Sequence, residues 1–285
     1  MNLMPLAING IGPVGAFGAG VENFRAALSG KVKVTPDITR VETRDGSFEL
    51  PVFRASTSSL ADFVARRKLR RLDNFSRLAL LGAALACADS EIEIIGSRTG
   101  LIVASAHGAT TTTFAFLDSV IDDGDALSSP TLFSNSVHNA AASHIAEHFQ
   151  ITGPNLSLTQ GADSLKIALT TAAQWLAIGR IDTVLCGAVD CYCDVLGYSW
   201  QICRNSCKNK IETLSYGPGE GSLFLHLSRK KENSPEPKYG YLNRFIPDPD
   251  SPPTTAPDSN SDITAICGNL PIPTTFNFAA TIAKK

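Results

Sequence analysis

The stretch GPNLSLTQGADSLKIAL, residues 153–169, predicts a strand, a sharp turn and a helix in direct succession. A short apolar run, Leu156 to Leu158, stops at small and polar residues, and a helix-like segment begins at Leu165. Enzymes use such an elbow to hold a reactive side chain at the head of a helix, where free N–H groups and the helix dipole stabilise negative charge. The middle of this turn, however, carries glycine and alanine, with neither Cys nor His.

Composition limits the classes of protein that the chain can belong to. Its 285 residues are 44% hydrophobic and 18% charged, with a formal net charge of -2, enough for a substantial core. The near-neutral charge gives no electrostatic reason to bind nucleic acid or an anionic membrane surface. No apolar run approaches the roughly 18 residues that span a bilayer, and the first residues lack the basic segment of a signal peptide. We therefore expect a cytoplasmic protein.

Apolar strands alternate with helix-like segments as far as Ser228, and this alternation is typical of an α/β fold with an internal sheet. Strands are predicted from Leu6 up to a Gly/Pro loop, before the elbow, and in residues 99–108, 181–190 and 219–228. Helices are predicted in residues 20–30, 76–90, 111–124 and 136–149, and at the elbow. Residues 31–58 read as irregular.

The character of the sequence changes after Ser228. Residues 229–285 are rich in proline and polar residues, as in RKKENSPEPK and PDPDSPPTTAPDSNSD, which is typical of surface loops. Only YGYLNRF, ITAICGN and FNFAATIAKK have the composition of ordered segments there. We therefore divide the chain into a domain of residues 1–228 and a reduced C-terminal remnant of residues 229–285.

Several segments together resemble the β-ketoacyl synthases of the thiolase-fold superfamily. They are INGIGPVGAFGAGVENFRAAL, LRRLDNFSRLAL, SPTLFSNSVHNAAASHIAEHFQITGPNLSL, WLAIGRIDTVLCGAVD and GPGEGSLFLHLS. They occur in family order, with family-like spacing, over residues 5–228. The resemblance implies a thiolase-like layered α/β/α fold whose N-terminal half is intact and whose C-terminal half is strongly reduced.

The resemblance also shows which chemistry is missing. Condensing enzymes carry a Thr-Ala-Cys-Ser-Ser-type elbow, whose Cys takes the acyl chain from a carrier protein, and two catalytic histidines in the C-terminal half. Aligned on Leu165, the Cys position falls on Gly161, and none of the five histidines lies in a family His motif. Gln160, Asp163 and Ser164 are what remains in the turn. Without a thiolate there is no ordinary acyl-enzyme, so we expect no catalytic residue and no condensing activity from this chain alone.

The resemblance implies a partner role instead. Chain-length factors are ketosynthase-like subunits, often with Gln in place of the Cys, that pair with an active ketosynthase in type II polyketide and aryl-polyene-type pathways. Here Gln160 lies one position before the Cys equivalent. The expected partners are a full-length β-ketoacyl synthase, in a heterodimer, and an acyl carrier protein reached through that synthase; no cofactor is expected. The alternative is a stand-alone thiolase-fold acyltransferase or malonyl decarboxylase that uses the Gln160 turn.

The resemblance also assigns candidate contacts. It places the subunit contact at the strand before the elbow, which here gives Asn155, Leu156, Ser157, Leu158 and Thr159. His138 and Asn139 lie where the family has an internal helix near this contact, although structural hydrogen bonding also explains these two residues. An exposed strand edge of this kind pairs or aggregates. The segment 112–116 would face the acyl tunnel across this contact, so that Phe114, Phe116 and Phe133 would close its far end, although packing in the core explains them equally well. The basic stretch RRKLRRLDN fits either an acidic carrier protein or a solvated helix end.

Three further features have plain structural interpretations. Asp163 and Ser164 are expected to cap the helix that follows them. Cys186 ends a buried strand and is expected to be a small core residue. A cluster of four cysteines lacks the paired C-x2-C knuckles of zinc sites, so we expect reduced thiols and no metal; its members are Cys191, Cys193, Cys203 and Cys207.

Overall fold

A mixed β-sheet with helices on both faces organises the chain. The computed structural model describes residues 5–44, 46–206, 217–230 and 236–242. The expectations for ITAICGN, FNFAATIAKK, Cys207 and most of the remnant 229–285 lie outside these residues. None of the helices in the described ranges is long and apolar enough to cross a lipid bilayer.

The elements follow one another in this order within the described residues. The strands are β1 (Leu6–Gly15), β2 (Gly18–Ala19), β3 (Asp37–Thr43), β4 (Gly46–Val52), β5 (Thr99–Ser105), β6 (Asn155–Thr159), β7 (Thr183–Asp190), β8 (Gly221–Arg229) and β9 (Tyr241–Leu242). The helices are α1 (Val21–Leu28), α2 (Arg66–Leu69), α3 (Asn74–Asp89), α4 (Thr110–Asp123), α5 (Pro130–Ser136), α6 (Ala140–Phe149), α7 (Ser164–Ala177) and α8 (Asp194–Ser206).

The strand order brings the turns that follow β5, β6 and β7 to one edge of the sheet. The main sheet runs β2-β1-β8-β7-β5-β6, with β9 also paired to β1. β5 is parallel to both β6 and β7, whereas β8 is antiparallel to β7 and to β1. The carboxyl ends of β5, β6 and β7 therefore meet at the same edge, where open α/β sheets place their ligand sites.

Apolar cores lie on both faces of this sheet and confirm the layered α/β/α arrangement. On one face, α3 and α6 enclose Leu78, Ile145 and Phe224. On the other, α7 packs Leu169 and its neighbouring alanines against Ile102 of β5. β1 and β5 are accordingly buried along their whole length, as expected of strands that helices cover on both faces.

Two expectations for the first 60 residues were wrong. β1 continues through the predicted Gly/Pro loop, because β8 pairs with it from Leu6 to Val14 and α3 packs closely over it. A Cβ on Gly12 would lie 1.9 Å from the carbonyl oxygen of Gly82, so only glycine fits there. The segment 31–58 contains the hairpin β3–β4, whose Leu50 and Val52 are buried in a small cluster with residues that follow β7. Those packing partners are distant in sequence, which is why local pattern did not predict the hairpin.

His226 provides a pH-dependent test of the packing. It is fully buried in β8, with Nδ1 2.9 Å from Ser90 Oγ, and burial lowers the pKa of its imidazole to about 4. The unfolded chain binds this proton near pH ~6.5, so the stabilisation is complete above that pH and is lost as pH falls toward about 4. Between about pH 7 and about pH 4.5 we expect the free energy of unfolding to fall by roughly 2–3 kcal/mol more in the parent chain than in His226→Gln. Urea denaturation across this range measures it; equal pH slopes would contradict it.

Candidate functional site

The predicted elbow is present at the carboxyl edge of the sheet. β6 ends at Thr159, a 3-10 turn spans Gly161–Asp163 and α7 begins directly afterwards. Gly161 has φ 57°, a left-handed conformation that favours glycine. Gln160 and Ala162 are exposed at the tip. If the Cys position of condensing enzymes falls on Gly161, as the alignment on Leu165 predicts, that position has no nucleophilic atom.

Ser164 closes the turn from inside. Its side chain is buried, and its Oγ accepts a hydrogen bond from the Gln160 N–H at 2.7 Å. The same hydroxyl faces the carbonyl oxygens of Ser105, at 2.7 Å, and Gly161, at 2.9 Å, which take its single proton. Ser164 therefore fastens the elbow to the end of β5 and is not available as a nucleophile.

The predicted helix capping was wrong. Asp163 occupies the N-cap position of α7, but its side chain makes no capping hydrogen bond. Its carboxylate lies 4.0 Å from the Lys166 ammonium instead. Ser164 is already the first residue of the helix, and its hydroxyl is used by the turn and by β5.

A carboxylate that the sequence analysis did not single out completes this edge. Asp190 ends β7 and accepts hydrogen bonds from Ser105 Oγ at 2.8 Å, Ala106 N–H at 3.0 Å and His107 N–H at 3.2 Å. The Gly108 N–H donates to Ser105 Oγ at 2.7 Å. Three successive N–H groups thus converge on one hydroxyl–carboxylate pair, as in an anion-binding nest. The position of Asp190 in the sequence could have indicated this site. Asp190 and the loop SAHG, residues 105–108, each come at the end of an apolar run, and the two runs form neighbouring parallel strands.

The surroundings of Asp190 have opposite effects on the pKa of its carboxyl group. Burial raises the pKa of its carboxyl group, and this outweighs the hydrogen bonds and the nearby His107, which lower it. His107 Nε2 is buried and has no hydrogen-bond partner among the described residues. Gly108 follows with φ 70°, and a Cβ there would lie 2.6 Å from His138 Nδ1, so the turn before α6 packs directly on this loop. Asn139, next along that turn, is exposed and makes no side-chain cap to α6.

The cysteines are poor candidates for a displaced nucleophile. Cys186 is fully buried in β7, in the position of a core residue, and burial raises its pKa to about 12. Burial also raises the pKa of Cys191 and Cys193. Since the thiolate is the reactive form, these thiols are inert near neutral pH. No three His, Cys, Asp or Glu side chains within the described ranges come together as metal ligands, and Cys207 lies outside those ranges.

The three candidate tunnel residues lie on or near the protein surface. Phe114 in α4 is 41% exposed and Phe133 in α5 is 55% exposed, so core packing does not account for them. Phe116 is half-buried, with its ring centroid 5.3 Å from that of Phe133. We call this apolar region, with its other exposed members, the α4–α5 surface; those members are Leu117, Ile121 and Leu127. Its role in an acyl tunnel stays a prediction.

β6 is the last strand of the sheet. It pairs with β5 on one side, and the described residues place no strand on its other side. Asn155 is exposed and the other four residues are half-buried. This is the geometry expected of a strand that pairs across a subunit contact, although the contact itself stays a prediction.

Comparison with known proteins identifies the family. Residues 53–203 match the family model of the β-ketoacyl synthase N-terminal domain. The chain belongs to the β-ketoacyl synthase family. It is 28% identical over 204 residues to a polyketide β-ketoacyl synthase 1 from Streptomyces virginiae, and 25% identical over 201 residues to 3-oxoacyl-[acyl-carrier-protein] synthase 2 from Coxiella burnetii. These matches cover 65% and 67% of this chain but 46% and 47% of the relatives, so this β-ketoacyl synthase family member spans about half their length.

Solved structures confirm the thiolase-like fold. The ishigamide ketosynthase/chain length factor superposes with a TM-score of 0.63 at 18% identity, over 82% of this chain and 64% of that one. A ketosynthase in complex with its chain length factor from Xenorhabdus doucetiae gives a TM-score of 0.53 at 18% identity, over 79% of each chain. Because the two shares are equal in the second case, the matched Xenorhabdus chain has about the same length as this one.

The hydrogen bonds of the Ser164 hydroxyl predict that this residue stabilises the folded chain. In Ser164→Ala, the Gln160 N–H and the buried Ser105 carbonyl lose their partner, so we expect the free energy of unfolding to fall by about 1–3 kcal/mol. Ser143→Ala is the matched control, because the Ser143 hydroxyl is exposed and bonds only within its own helix turn, to the Asn139 carbonyl at 2.9 Å. Urea denaturation of the two variants makes the comparison. Equal losses would show that Ser164 does not hold the elbow.

Proposed function

We propose that this chain is a non-catalytic, chain-length-factor-like subunit that pairs with an active β-ketoacyl synthase and shapes its acyl tunnel. The complex would extend polyketide, polyene or fatty-acid-like chains held on an acyl carrier protein in the cytoplasm. One observation carries the proposal. The elbow keeps its turn and its hydrogen bonds to β5, while its exposed tip consists of Gln160, Gly161 and Ala162. A site that retains the scaffold without the nucleophile suits a binding and shaping role.

The alternative, a stand-alone acyltransferase or malonyl decarboxylase, receives less support from the same residues. A covalent acyl transfer needs a nucleophile that a nearby base can activate. The amide of Gln160 offers only hydrogen bonds, and the Ser164 hydroxyl is buried in contacts to the backbone. Decarboxylation through Gln160 would need further donors at the tip, and Asp163 beside it is an anion that repels a carboxylate substrate.

Pairing with a larger partner is supported by two surfaces. The free side of β6 offers backbone hydrogen bonds to another strand, and the α4–α5 surface exposes apolar side chains that a monomer rarely leaves in contiguous patches. The Xenorhabdus structure supports this further, because it is named as a ketosynthase in complex with its chain length factor and its matched chain is about as long as this one. We propose that both surfaces face the synthase, with Asn155–Thr159 and Asn139 at the contact.

The carrier protein would reach this chain through the synthase. A similar structure, at 16% identity, is named as a type II acyl carrier protein in complex with its ketosynthase. In this chain α2 and its flanks expose four arginines, at positions 66, 67, 70 and 71, while Lys68 pairs with Glu147 at 3.2 Å. An acidic carrier arriving at the synthase would be attracted to these cations.

The missing nucleophile predicts that the chain neither forms an acyl-enzyme nor condenses acyl groups by itself. We expect the intact mass of the purified chain to be unchanged after incubation with acyl-carrier substrates. The partner synthase, treated in the same way, should gain one acyl group and serves as the control. A stable acyl adduct on any Cys or Ser of this chain would contradict the prediction.

The phenylalanines predict control of product length. If Phe114 and Phe116 close the tunnel, replacing both by Ala opens on the order of a hundred Å³, and the reconstituted pair should release longer products. Ile38→Ala is the control, because Ile38 lies on the separate β3–β4 hairpin and is 65% exposed. Product length is measured by mass spectrometry. Unchanged products from an intact complex would show that these residues do not limit product length.

The apolar surface predicts that the chain depends on its partner. An obligate interface buries upwards of roughly 2,000 Å², which makes stability inseparable from partner concentration. Ile121 is 78% exposed, so Ile121→Asp removes no buried contact of this chain and should abolish co-purification with the synthase, whereas Ile38→Asp, at a position that is 65% exposed, should not. Co-expression followed by mass measurement in solution tests this. A well-behaved monomer that ignores the synthase would overturn the proposal.

A further inference from the structure

A cavity of about 400 Å³ lies at the edge of the main sheet opposite the elbow. It begins where α3 stops covering the sheet. α3 ends at Asp89, and His226 of β8 lies 2.9 Å from the hydroxyl of Ser90, just past that end. Ser228 is two residues farther along β8, hence on the same face of the sheet, and it lines the cavity. The volume is near the lower end of the roughly 300–1,000 Å³ that small-molecule sites occupy.

A row of buried polar side chains forms the floor of this cavity. Four neighbouring strands contribute one residue each, namely Asn9 of β1, Ser228 of β8, Thr183 of β7 and Thr99 of β5. Each of these residues is at most 8% exposed. A sheet face that is only covered by a packed layer carries apolar side chains, and burying polar groups is costly unless they are hydrogen-bonded. The row therefore indicates a polar occupant.

Part of the hydrogen-bonding capacity of this row is unused within the described residues. Asn9 Nδ2 donates to Ser228 Oγ at 3.1 Å, while Asn9 Oδ1 has no partner there and the Ser228 proton has no acceptor. Thr99 Oγ1 accepts from the Ile95 N–H and lies 3.1 Å from Thr183 Oγ1. Whichever threonine donates, one hydroxyl proton of the pair is left over. The row thus offers one acceptor and two donors to a molecule in the cavity.

The charged side chains at the cavity do not select an ion. Arg98 donates two hydrogen bonds to Asp182, at 3.0 and 2.8 Å, and Lys238 is paired with Asp89. The other charged side chains that line the cavity nearly balance, since three are acidic and two are basic; they are Glu91, Glu93, Glu236, Arg229 and Lys230. A buried ion needs an opposite charge that is not already paired, so this cavity suits an uncharged molecule.

We propose that this cavity binds a small uncharged ring compound with several hydroxyl groups, a cyclic polyol or a monosaccharide. Its hydroxyl groups pair with Asn9 Oδ1 and with the hydroxyls of Ser228 and the two threonines. Its C–H face packs against Ile95 and the Tyr241 ring, which also line the cavity. The site lies at the opposite edge of the sheet from the elbow, and the proposal does not depend on the partner role argued above.

Ligand-observed NMR titration of the full chain with D-glucose and with myo-inositol tests this proposal. Ser228→Ala removes one donor from the floor. Ser222→Ala is its control, because Ser222 is buried on the same face of β8 but donates to the Leu78 carbonyl at 2.8 Å, under α3. Ile95→Trp, at a position that is 56% exposed, fills the cavity from its wall and decides if Ser228→Ala does not fold; Ile178→Trp, at 73% exposure, is the matching control.

We expect both neutral probes to bind the parent chain and Ser222→Ala alike. Ser228→Ala should bind them about five- to tenfold more weakly, as the loss of one hydrogen bond between uncharged groups predicts. Ile95→Trp should abolish binding, whereas Ile178→Trp should not.

Glucosamine and glucose 6-phosphate carry the same ring with a positive or a negative charge, and both should bind more weakly than glucose. Tighter binding of either would assign the cavity to a charged ligand and overturn the proposal. So would the absence of binding of both neutral probes to the parent chain, or unchanged binding in Ser228→Ala or in Ile95→Trp. None of these results bears on pairing with a synthase.

Discussion

One residue, Ser105, joins the three parallel strands at the edge of the sheet where the elbow lies. Its carbonyl oxygen receives the Ser164 hydroxyl from the elbow that follows β6, and its own hydroxyl donates to Asp190 at the end of β7. The N–H of Gly108 then closes the loop back onto Ser105 Oγ. Because each of these groups is partly or fully buried, each bond is costly to leave unmade. The positions of the elbow, the His107 loop and α7 all depend on this one connection.

This connection makes the shape of the elbow independent of the side chain at its tip. The bonds that shape the elbow come from Ser164, Ser105 and the backbone, and none of them uses the side chain at the tip. Replacing a reactive residue at the tip therefore leaves the turn, the helix and the strand edge in place. The free side of β6, which rests on the same connection, is likewise independent of the residue at the tip.

The sequence predicted the parts of the fold that local pattern determines. The elbow, the apolar strands β5 and β7 and the long helices follow from periodicity and small-residue turns. It did not predict the β3–β4 hairpin or the passage of β1 through Gly12, because those depend on residues far away, Trp200 and α3. At the site, the absence of Cys and His from the turn was visible in the sequence, whereas the Asp190 network was not. A carboxylate acquires that role only when two strands distant in sequence become neighbours.

The centre of the sheet and its β6 edge differ in how they are covered. The free side of β6 and the α4–α5 surface are accessible, so that another chain could add a strand to β6 or cover the exposed phenylalanines. The interior strand β8 belongs to the core, because Ile11 and Cys186, which lie beside its Leu225 in β1 and β7, are both buried. Within the described residues the sheet is therefore packed at its centre, where it supports α7, and exposed at the edge where the elbow begins. A change at that edge can alter what the chain binds without disturbing the core that holds the elbow in place.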